Sequence, residues 1–148
     1  THIDAKYINF SDRFLAGGIP TAFVRDGKAV PNVPTDTINF KESYDHAASG
    51  WGGWVEVNYM NSYFLNNNNT VGIPAYVIAN LNIHKNFEFH NNKWIRFAKF
   101  FAEIDNIADK KYAASGNVVA DSTADANKTL FFAGYGRSFY AGVTLGLF

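Results

Sequence analysis

The stretch from Ala75 to Phe89 limits the possible folds most, because apolar and polar side chains alternate along it with a period of two. One parity is apolar, comprising Ala75, Val77, Ala79, Leu81, Ile83, Phe87 and Phe89, and the other is polar or amphipathic, comprising Tyr76, Asn80, Asn82, His84, Asn86 and Glu88. Alternation of this kind is typical of a β-strand with one apolar face. A strand of about fifteen residues is much longer than the roughly five or six of a globular strand, whereas a tilted membrane-spanning strand needs about nine to eleven plus its rims. The stretch therefore predicts a strand of a transmembrane β-barrel.

Five further segments alternate in the same way and predict strands at residues 1–7, 36–45, 54–63, 94–106 and 137–148. The parity of the segment that begins at Trp94 blurs near Phe97, which predicts a β-bulge there. Short turns are predicted at Ala47–Gly50 and His90–Lys93, because glycine, asparagine and small residues tolerate the backbone angles of a tight reversal.

Longer connections separate the remaining strands. Glycine, proline and polar residues break the alternation over Ile8–Thr35, around Asn66–Asn69 and over Ile107–Gly136. Short turns and long loops thus alternate strictly, as in barrels with short periplasmic turns and long extracellular loops. The predicted fold class is all-β, with an antiparallel meander of about six long strands that forms part of a large transmembrane β-barrel.

Composition narrows the functional classes. The 148 residues include 13 basic and 13 acidic side chains spread singly along the chain, which predicts no charged surface for nucleic acid. Cysteine is absent, so disulfides, cysteine-ligated metals and thiol nucleophiles are excluded. No apolar run approaches the roughly 18 residues of a membrane helix, and no shift in composition marks a second domain.

Side chains that could carry catalysis or bind a metal are present, but their spacing favours neither. The four histidines are not spaced to share a metal: His2, His46, His84 and His90. Glu103 and Asp105 could form a carboxylate pair on one strand face, but Lys99 shares their parity and a solvated, cross-paired wall accounts for all three. Ser43 lies three residues from His46 without a third member of a catalytic triad. The sequence predicts no enzyme, no metal site and no cofactor.

Three stretches resemble the C-terminal end of a TonB-dependent outer-membrane receptor. Glu103–Tyr112 is similar to the penultimate strand of that family, in which an apolar-x-Asn-apolar pattern runs into Asp-Lys-x-Tyr. Gly136–Val143 resembles the glycine-arginine opening of its last strand, and Val30–Phe40 resembles a proline-rich entry to an earlier strand. Their order and spacing, together with the terminal aromatic Phe148, extend the resemblance over nearly the whole chain.

The resemblance implies a location and a set of partners. Residues 1–148 would be the C-terminal part of a barrel of about 22 strands in the bacterial outer membrane, with the plug domain and the earlier strands outside this sequence. The expected partners are outer-membrane lipid, the rest of the barrel and its plug, the TonB complex through the missing N-terminal part, and a small-molecule ligand. The family imports iron–siderophores, haem, cobalamin and some sugars, and an iron–siderophore is the commonest cargo that the resemblance implies.

Aromatic residues near the strand ends suggest two roles. Most fit a belt at the lipid headgroups, where an amphipathic ring is favoured: Tyr7, Tyr44, Tyr59, Tyr63, Tyr112, Tyr140, Trp51 and Trp94. Four residues near the predicted extracellular end are candidates for ligand contact: Tyr63, Tyr76, Tyr135 and Arg137. The sequence does not show which of these aromatic residues lie at the lipid headgroups and which line a ligand-binding mouth.

Other interpretations of the same pattern remain open. About eight strands are needed to close a barrel, so about six would need further strands from the same chain or from other chains. The segment 137–148 is expected to pair with 94–106 on one side and with a strand outside this sequence on the other. The main alternative is a small self-standing or oligomeric outer-membrane barrel that acts as a passive pore, adhesin or structural protein. A soluble β-sandwich also shows alternating strands, and a lipid-acting enzyme comes third.

Overall fold

The structure is a computed structural model that describes residues 1–91, 93–118 and 129–147. These residues form eleven β-strands: β1 (Ser11–Ala16), β2 (Ile19–Val24), β3 (Thr37–His46), β4 (Trp51–Met60), β5 (Tyr63–Phe64), β6 (Gly72–Ile73), β7 (Tyr76–Glu88), β8 (Ile95–Asp105), β9 (Ala113–Val118), β10 (Thr129–Ala133) and β11 (Ser138–Leu147). Within the described ranges, no helix is long and apolar enough to cross a membrane. The predicted all-β class is confirmed.

The chain divides into two compact units, which are described separately. The sheet unit consists of Ile38–Asn58, Val77–Lys111 and Tyr135–Phe148. The loop unit consists of Thr1–Thr37, Tyr59–Tyr76 and Tyr112–Gly134.

The sheet unit is built on a five-stranded sheet in the order β11-β8-β7-β4-β3. The five strands therefore lie side by side in the order in which they occur along the chain, and the strands between them in sequence belong to other sheets. Its pairing is antiparallel where β8 lies between β7 and β11, with Ala102 opposite both Ile83 and Ala141. β4 and β7 also run in opposite directions, since the Asn86 amide donates to the Gly50 carbonyl and Gly53 lies against Asn82. These five strands match five of the six predicted long strands and confirm the meander.

The sixth predicted strand, residues 1–7, does not form. Two isolated bridges hold this segment instead, His2 with Asp36 and Lys6 with Ala29. The opposing segment contains Pro31 and Pro34, which lack a backbone N–H and cannot continue a ladder of hydrogen bonds. The long sheet therefore begins at β3.

All three predicted long loops contain further strands, the shortest being β6, which pairs with β5 across the loop around residues 66–69. β1 and β2 form a hairpin inside residues 8–35, and Gly17 and Gly18 both have positive φ in its two-residue turn. Positive φ at both central positions defines the turn that best matches strand twist, so this glycine pair closes a hairpin. β9 and β10 pair inside residues 107–136, whereas residues 119–128 of that predicted loop lie outside the described residues.

The β8–β11 pair contains the predicted irregularity and a specific packing device. Its register shifts where Phe97 is opposite Gly146 and Ile95 is opposite Leu147, which confirms the bulge near Phe97. The Phe97 ring covers Gly146, and a Cβ added at Gly142 would lie 2.7 Å from the Phe101 ring. Aromatic rings that cover glycines restore the contacts that a side chain would have made and so help to fix the register.

Candidate functional site

One face of the five-stranded sheet is apolar and open. Ile83 on the central strand is 52% exposed, and Phe139 on β11 is 68% exposed. The exposed apolar residues of this face include Ile38, Phe40, Val55, Leu81, Phe100, Val143, Leu145 and Leu147. A sheet in water would cover such a face, whereas the wall of a membrane barrel turns it toward lipid. We call this surface the apolar face.

The opposite face is polar, and its central side chains are covered. Asn82 and His84 on β7 are only 7% and 6% exposed, although their neighbour Ile83 is open. Buried polar groups need hydrogen-bond partners, and other strands of the sheet supply them. We call this surface the polar face.

A chain of side-chain contacts crosses the polar face at His84. Its Nε2 lies 2.7 Å from Oδ1 of Asp45 on β3, and its Nδ1 lies 3.4 Å from Oδ1 of Asn82. Asn82 in turn donates to Oε2 of Glu103 on β8 at 3.0 Å. These contacts engage His84 and one carboxylate of the predicted Glu103–Asp105 pair within the wall.

Glu56 on β4 organises a second set of contacts on the polar face. Its two carboxylate oxygens accept hydrogen bonds from Asn39 at 3.1 Å and from Asn80 at 3.0 Å. Asn39 also donates to Asn58 at 2.6 Å. Among the described residues no group of three or more histidine, aspartate or glutamate side chains is placed to hold a metal ion.

The Asn106–Asp109 turn after β8 gives physical content to the Asp-Asn-x-x-Asp pattern in the sequence. Asn106 and Asp109 both have φ of 50°, and the side chain of Asn106 is buried. Asn106 Oδ1 accepts from the Lys110 amide at 2.8 Å, and its Nδ2 donates to the carbonyls of Lys110 and Tyr135, each at 3.0 Å. The turn therefore fixes the chain that leads into β11.

Asp109 holds the same segment through its carboxylate. Oδ1 accepts from the Arg137 amide and from Nζ of Lys111, each at 3.0 Å. The hydrogen bond from the Arg137 amide, followed by the one from Lys111, holds the pKa of Asp109 below its usual range despite partial desolvation. Asn106 and Asp109 together position the backbone of Tyr135 and Arg137, whose side chains are exposed.

The other two predicted ligand residues, Tyr63 and Tyr76, lie in the loop unit. Tyr76 packs against Tyr112 with ring centroids 4.5 Å apart, and its hydroxyl contacts Sδ of Met60 at 3.4 Å. The Tyr63 hydroxyl donates to the Ala114 carbonyl at 3.4 Å, and burial raises the pKa of Tyr63. Tyr63 and Tyr76 are thus half-buried, and with Tyr112 they form a tyrosine cluster. Tyr135, in contrast, is 88% exposed.

Sequence reasoning missed the buried ion pair of the loop unit. Arg25 is 3% exposed, and its guanidinium lies 5.4 and 5.3 Å from the ring centroids of Phe14 and Phe23. Its Nε donates to Oδ1 of Asp12 at 2.8 Å. A possible signal was the hairpin register, which places Phe14 and Phe23 near Asp12, but the hairpin itself was not predicted.

The asparagine run at residues 66–69 was predicted to be a loop, and its structural role was also missed. Asn69 exchanges two hydrogen bonds with the backbone of Ala29, at 2.8 and 2.9 Å. Asn67 donates to Oδ2 of Asp12 at 3.1 Å, and Asn66 accepts from the amides of Thr70 and Val71. The run therefore connects segments that are distant in sequence.

The chain matches a known protein family over most of its length. A sequence model of the family described as "TonB dependent receptor-like, beta-barrel" matches residues 4–107, more than two thirds of the chain. The match includes the proline-rich entry to β3 and extends one residue past Asn106, whereas the glycine-arginine opening of β11 lies beyond it. No curated protein matches the chain significantly.

Proposed function

Because the chain belongs to the TonB dependent receptor-like β-barrel family, we propose that it forms wall and loops of a bacterial outer-membrane transporter that imports a scarce ligand with energy from TonB. The observation that carries the proposal is the polarity of the five-stranded sheet. Its apolar face is open and its polar face is internally hydrogen-bonded, as lipid on one side and a lumen on the other require. The family is one of transporters, and binding with gated passage needs no covalent chemistry.

The proposal includes partners outside these 148 residues. Five strands are too few to close a barrel around a lumen, since about eight is the working minimum. β3 and β11 are the edges of the described sheet, and an unpaired edge is unfavourable in lipid. We therefore assign the rest of the wall, the plug domain and the contact with the TonB complex to other parts of the receptor. The mass of the native protein measured from outer membranes tests this assignment.

An iron–siderophore is the cargo that we propose, with Tyr63, Tyr76, Tyr135 and Arg137 as ligand contacts. Tyr135 and Arg137 support the proposal most directly, because their side chains are exposed on a segment whose backbone is fixed by Asn106 and Asp109. An exposed guanidinium suits an anionic iron chelate, and an exposed phenol ring offers a stacking surface. Tyr63 and Tyr76 would contribute through the edge of the tyrosine cluster.

The transport proposal is tested by uptake in cells that express the full-length receptor as their only iron transporter. We expect accumulation of a radiolabelled ferric siderophore that stops when TonB is deleted or when an uncoupler removes the proton gradient. Uptake that persists without TonB and saturates only weakly would instead indicate a passive pore. No uptake of any ferric siderophore, with TonB-dependent uptake of haem or cobalamin, would contradict the cargo but retain the transporter.

The ligand contacts are tested by Tyr135→Ala and Arg137→Gln. Each is expected to weaken the apparent affinity for the ferric siderophore by about tenfold, the effect of losing roughly 1.4 kcal/mol of binding free energy. Phe139→Ala is the control, because Phe139 lies two residues after Arg137 but on the apolar face, where no contact with the siderophore is expected. Equal affinities for all three variants and the wild type would remove Tyr135 and Arg137 from the ligand site.

A further inference from the structure

An apolar groove of about 570 Å³ crosses the apolar face at Gly53. Gly53 lies on the outward parity of β4, and a Cβ at this position would collide with the carbonyl oxygen of Asn82 on β7. The missing side chain leaves a depression whose walls are Tyr44 on one side and Leu81 and Ile83 on the other. The groove therefore results from the close approach of two strand backbones.

One end of the groove lies at the short turn between β3 and β4 and carries a cation. Trp51 lines this end, and the Nζ of Lys85 lies 5.3 Å from the centroid of its ring. Lys85 shares the outward parity of β7, yet its ammonium reaches back to donate to the Ser49 carbonyl in the turn. A lysine that extends along an apolar surface toward polar groups marks the boundary between hydrocarbon and headgroups.

The other end of the groove carries an anion. Glu42 lines the groove four residues before His46 on β3, which places it roughly 13 Å along the strand from the turn end. A carboxylate at this position repels a lipid phosphate. The charges at the two ends therefore give the groove a direction.

We propose that this groove binds an anionic phospholipid, with an acyl chain over Gly53 and the phosphate at Lys85. The inference rests on the membrane placement in the proposed function and adds a specific lipid site to it. Complementary charge selects the headgroup. The Lys85 ammonium beside Trp51 attracts the phosphate of a lipid whose headgroup carries no positive charge. The apolar walls accept the chain, and Glu42 at the far end excludes the reverse orientation.

The test is native mass spectrometry of the full-length receptor extracted from outer membranes and re-equilibrated with phosphatidylglycerol or phosphatidylethanolamine. The wild type is expected to retain phosphatidylglycerol preferentially, and Lys85→Gln is expected to reduce this retention by about fivefold. Glu42→Gln removes the repulsive charge and is expected to leave retention unchanged or to increase it. Lys99→Gln is the matched control, because Lys99 lies on the parity of the polar face and is expected to match the wild type.

A second variant keeps the proposal falsifiable if Lys85→Gln folds poorly. Leu81→Trp fills the groove without changing its charges and is expected to reduce phosphatidylglycerol retention while Lys85 remains in place. Equal retention of the two lipids by the wild type, or equal retention by the groove variants and Lys99→Gln, overturns the proposal. So does a second protein chain that is retained in place of lipid and lost in Lys85→Gln.

Failure of this inference is distinguishable from failure of the proposed function. A receptor that is absent from the outer-membrane fraction, or that shows no TonB-dependent uptake, contradicts the proposed function. A receptor that transports normally but binds both lipids equally contradicts only the lipid site.

Discussion

The sheet unit and the loop unit satisfy their buried polar groups by different means. In the sheet, polar side chains on neighbouring strands bond to one another across a regular ladder, as Asn82 does with Glu103 and Asn80 with Glu56. In the loop unit, single side chains bond to the backbone where the ladder is interrupted, as Asn69 does with Ala29, or form an isolated buried ion pair, as Arg25 does with Asp12. The sheet thus depends on a repeating pattern, whereas the loop unit depends on individual residues.

This difference predicts where single substitutions act. A regular backbone satisfies its own hydrogen bonds, so a side chain of the sheet matters mainly through the face on which it lies. Ala29 lies in an irregular segment. The side chain of Asn69 bonds to both its amide and its carbonyl, and so takes the place of a partner strand. Four experiments, three substitutions and one pH dependence, test the comparison from the largest expected effect to the smallest.

The largest effect is expected from Asp12→Ala in the loop unit. Breaking a buried ion pair typically costs about 3–5 kcal/mol, and Asp12 is a charged acceptor of a guanidinium that is only 3% exposed. The measurement is hydrogen exchange of residues 7–30 in the full-length receptor, which reports the local free energy of opening. Protection in this segment is expected to fall while protection in β7 and β8 is retained.

The control for Asp12→Ala is Asp4→Ala, which removes the exposed pair of Asp4 with Lys6 at 2.9 Å. An exposed pair contributes about 0–1 kcal/mol, so little change in protection is expected. The double substitution Asp12→Ala with Arg25→Met should recover much of the loss, since it removes the buried charge together with its acceptor. Equal exchange in the two single variants would show that the loop unit does not depend on this ion pair.

The next largest effect is expected from Leu81→Arg in the sheet unit. An arginine on the lipid side of a barrel strand costs about 2–4 kcal/mol near the midplane, and Leu81 is exposed on the apolar face roughly 13 Å along β7 from Lys85, which marks the headgroup boundary. Ser43→Arg introduces the same charge on the polar face of β3 and is expected to cost less than about 1 kcal/mol. The free energy of folding into lipid vesicles measures both variants. Similar values would mean that the two faces do not differ in their environment.

The faces of the sheet could be predicted from the sequence because a period of two decides them. The five long strands β3, β4, β7, β8 and β11 begin and end within a few residues of the predicted segments, and the bulge at Phe97 appeared as a break in parity. The loop unit has no such period. Arg25 and Asn66 are polar residues in glycine- and proline-rich surroundings, and only the folded contacts identify them as buried. The hairpin of β1 and β2 was missed for the same reason.

The candidate site follows the same rule. The motif at residues 103–112 could be recognised by resemblance. The way in which it fixes the chain before β11 depends on the positive φ of Asn106 and Asp109, which the sequence does not show. The predicted candidates Tyr135 and Arg137 are exposed on the segment that this turn fixes. Their contact with ligand remains a prediction, as does that of Tyr63 and Tyr76.

A smaller effect is expected from Gly142→Val on β11. The new Cβ would lie 2.7 Å from the Phe101 ring, and overpacking of this kind costs about 1–3 kcal/mol. Thr144→Val is the control, because it places a valine two residues along the same strand face without adding volume, since valine and threonine have the same shape. Replacing Phe101 with leucine in the Gly142→Val background should restore part of the folding free energy. A Gly142→Val variant as stable as Thr144→Val would show that the ring moves aside without cost.

The smallest effect is a pH dependence at Asp109. This residue belongs to the sheet unit, but its side chain bonds to the backbone, as asparagine side chains do in the loop unit. The pKa of Asp109 is lowered chiefly by the hydrogen bond from the Arg137 amide, so its stabilising contribution is fully present above the ordinary aspartate pKa of about 4. As the pH falls through the lowered pKa, the carboxylate is protonated and this contribution is lost. Protection of the Arg137 amide against hydrogen exchange, corrected for intrinsic rates, is therefore expected to decline below about pH 4.

Asn106 provides the internal control for this pH dependence, because its amide oxygen accepts from the Lys110 amide at 2.8 Å and does not titrate. Protection of the Lys110 amide should stay constant over the range in which protection of the Arg137 amide declines. Asp109→Asn keeps an acceptor oxygen but no titrating group, and its Arg137 protection should not vary with pH. Parallel loss of protection at both amides would instead indicate opening of the whole turn, and the anchoring of β11 would then depend on the turn's backbone rather than on the Asp109 carboxylate.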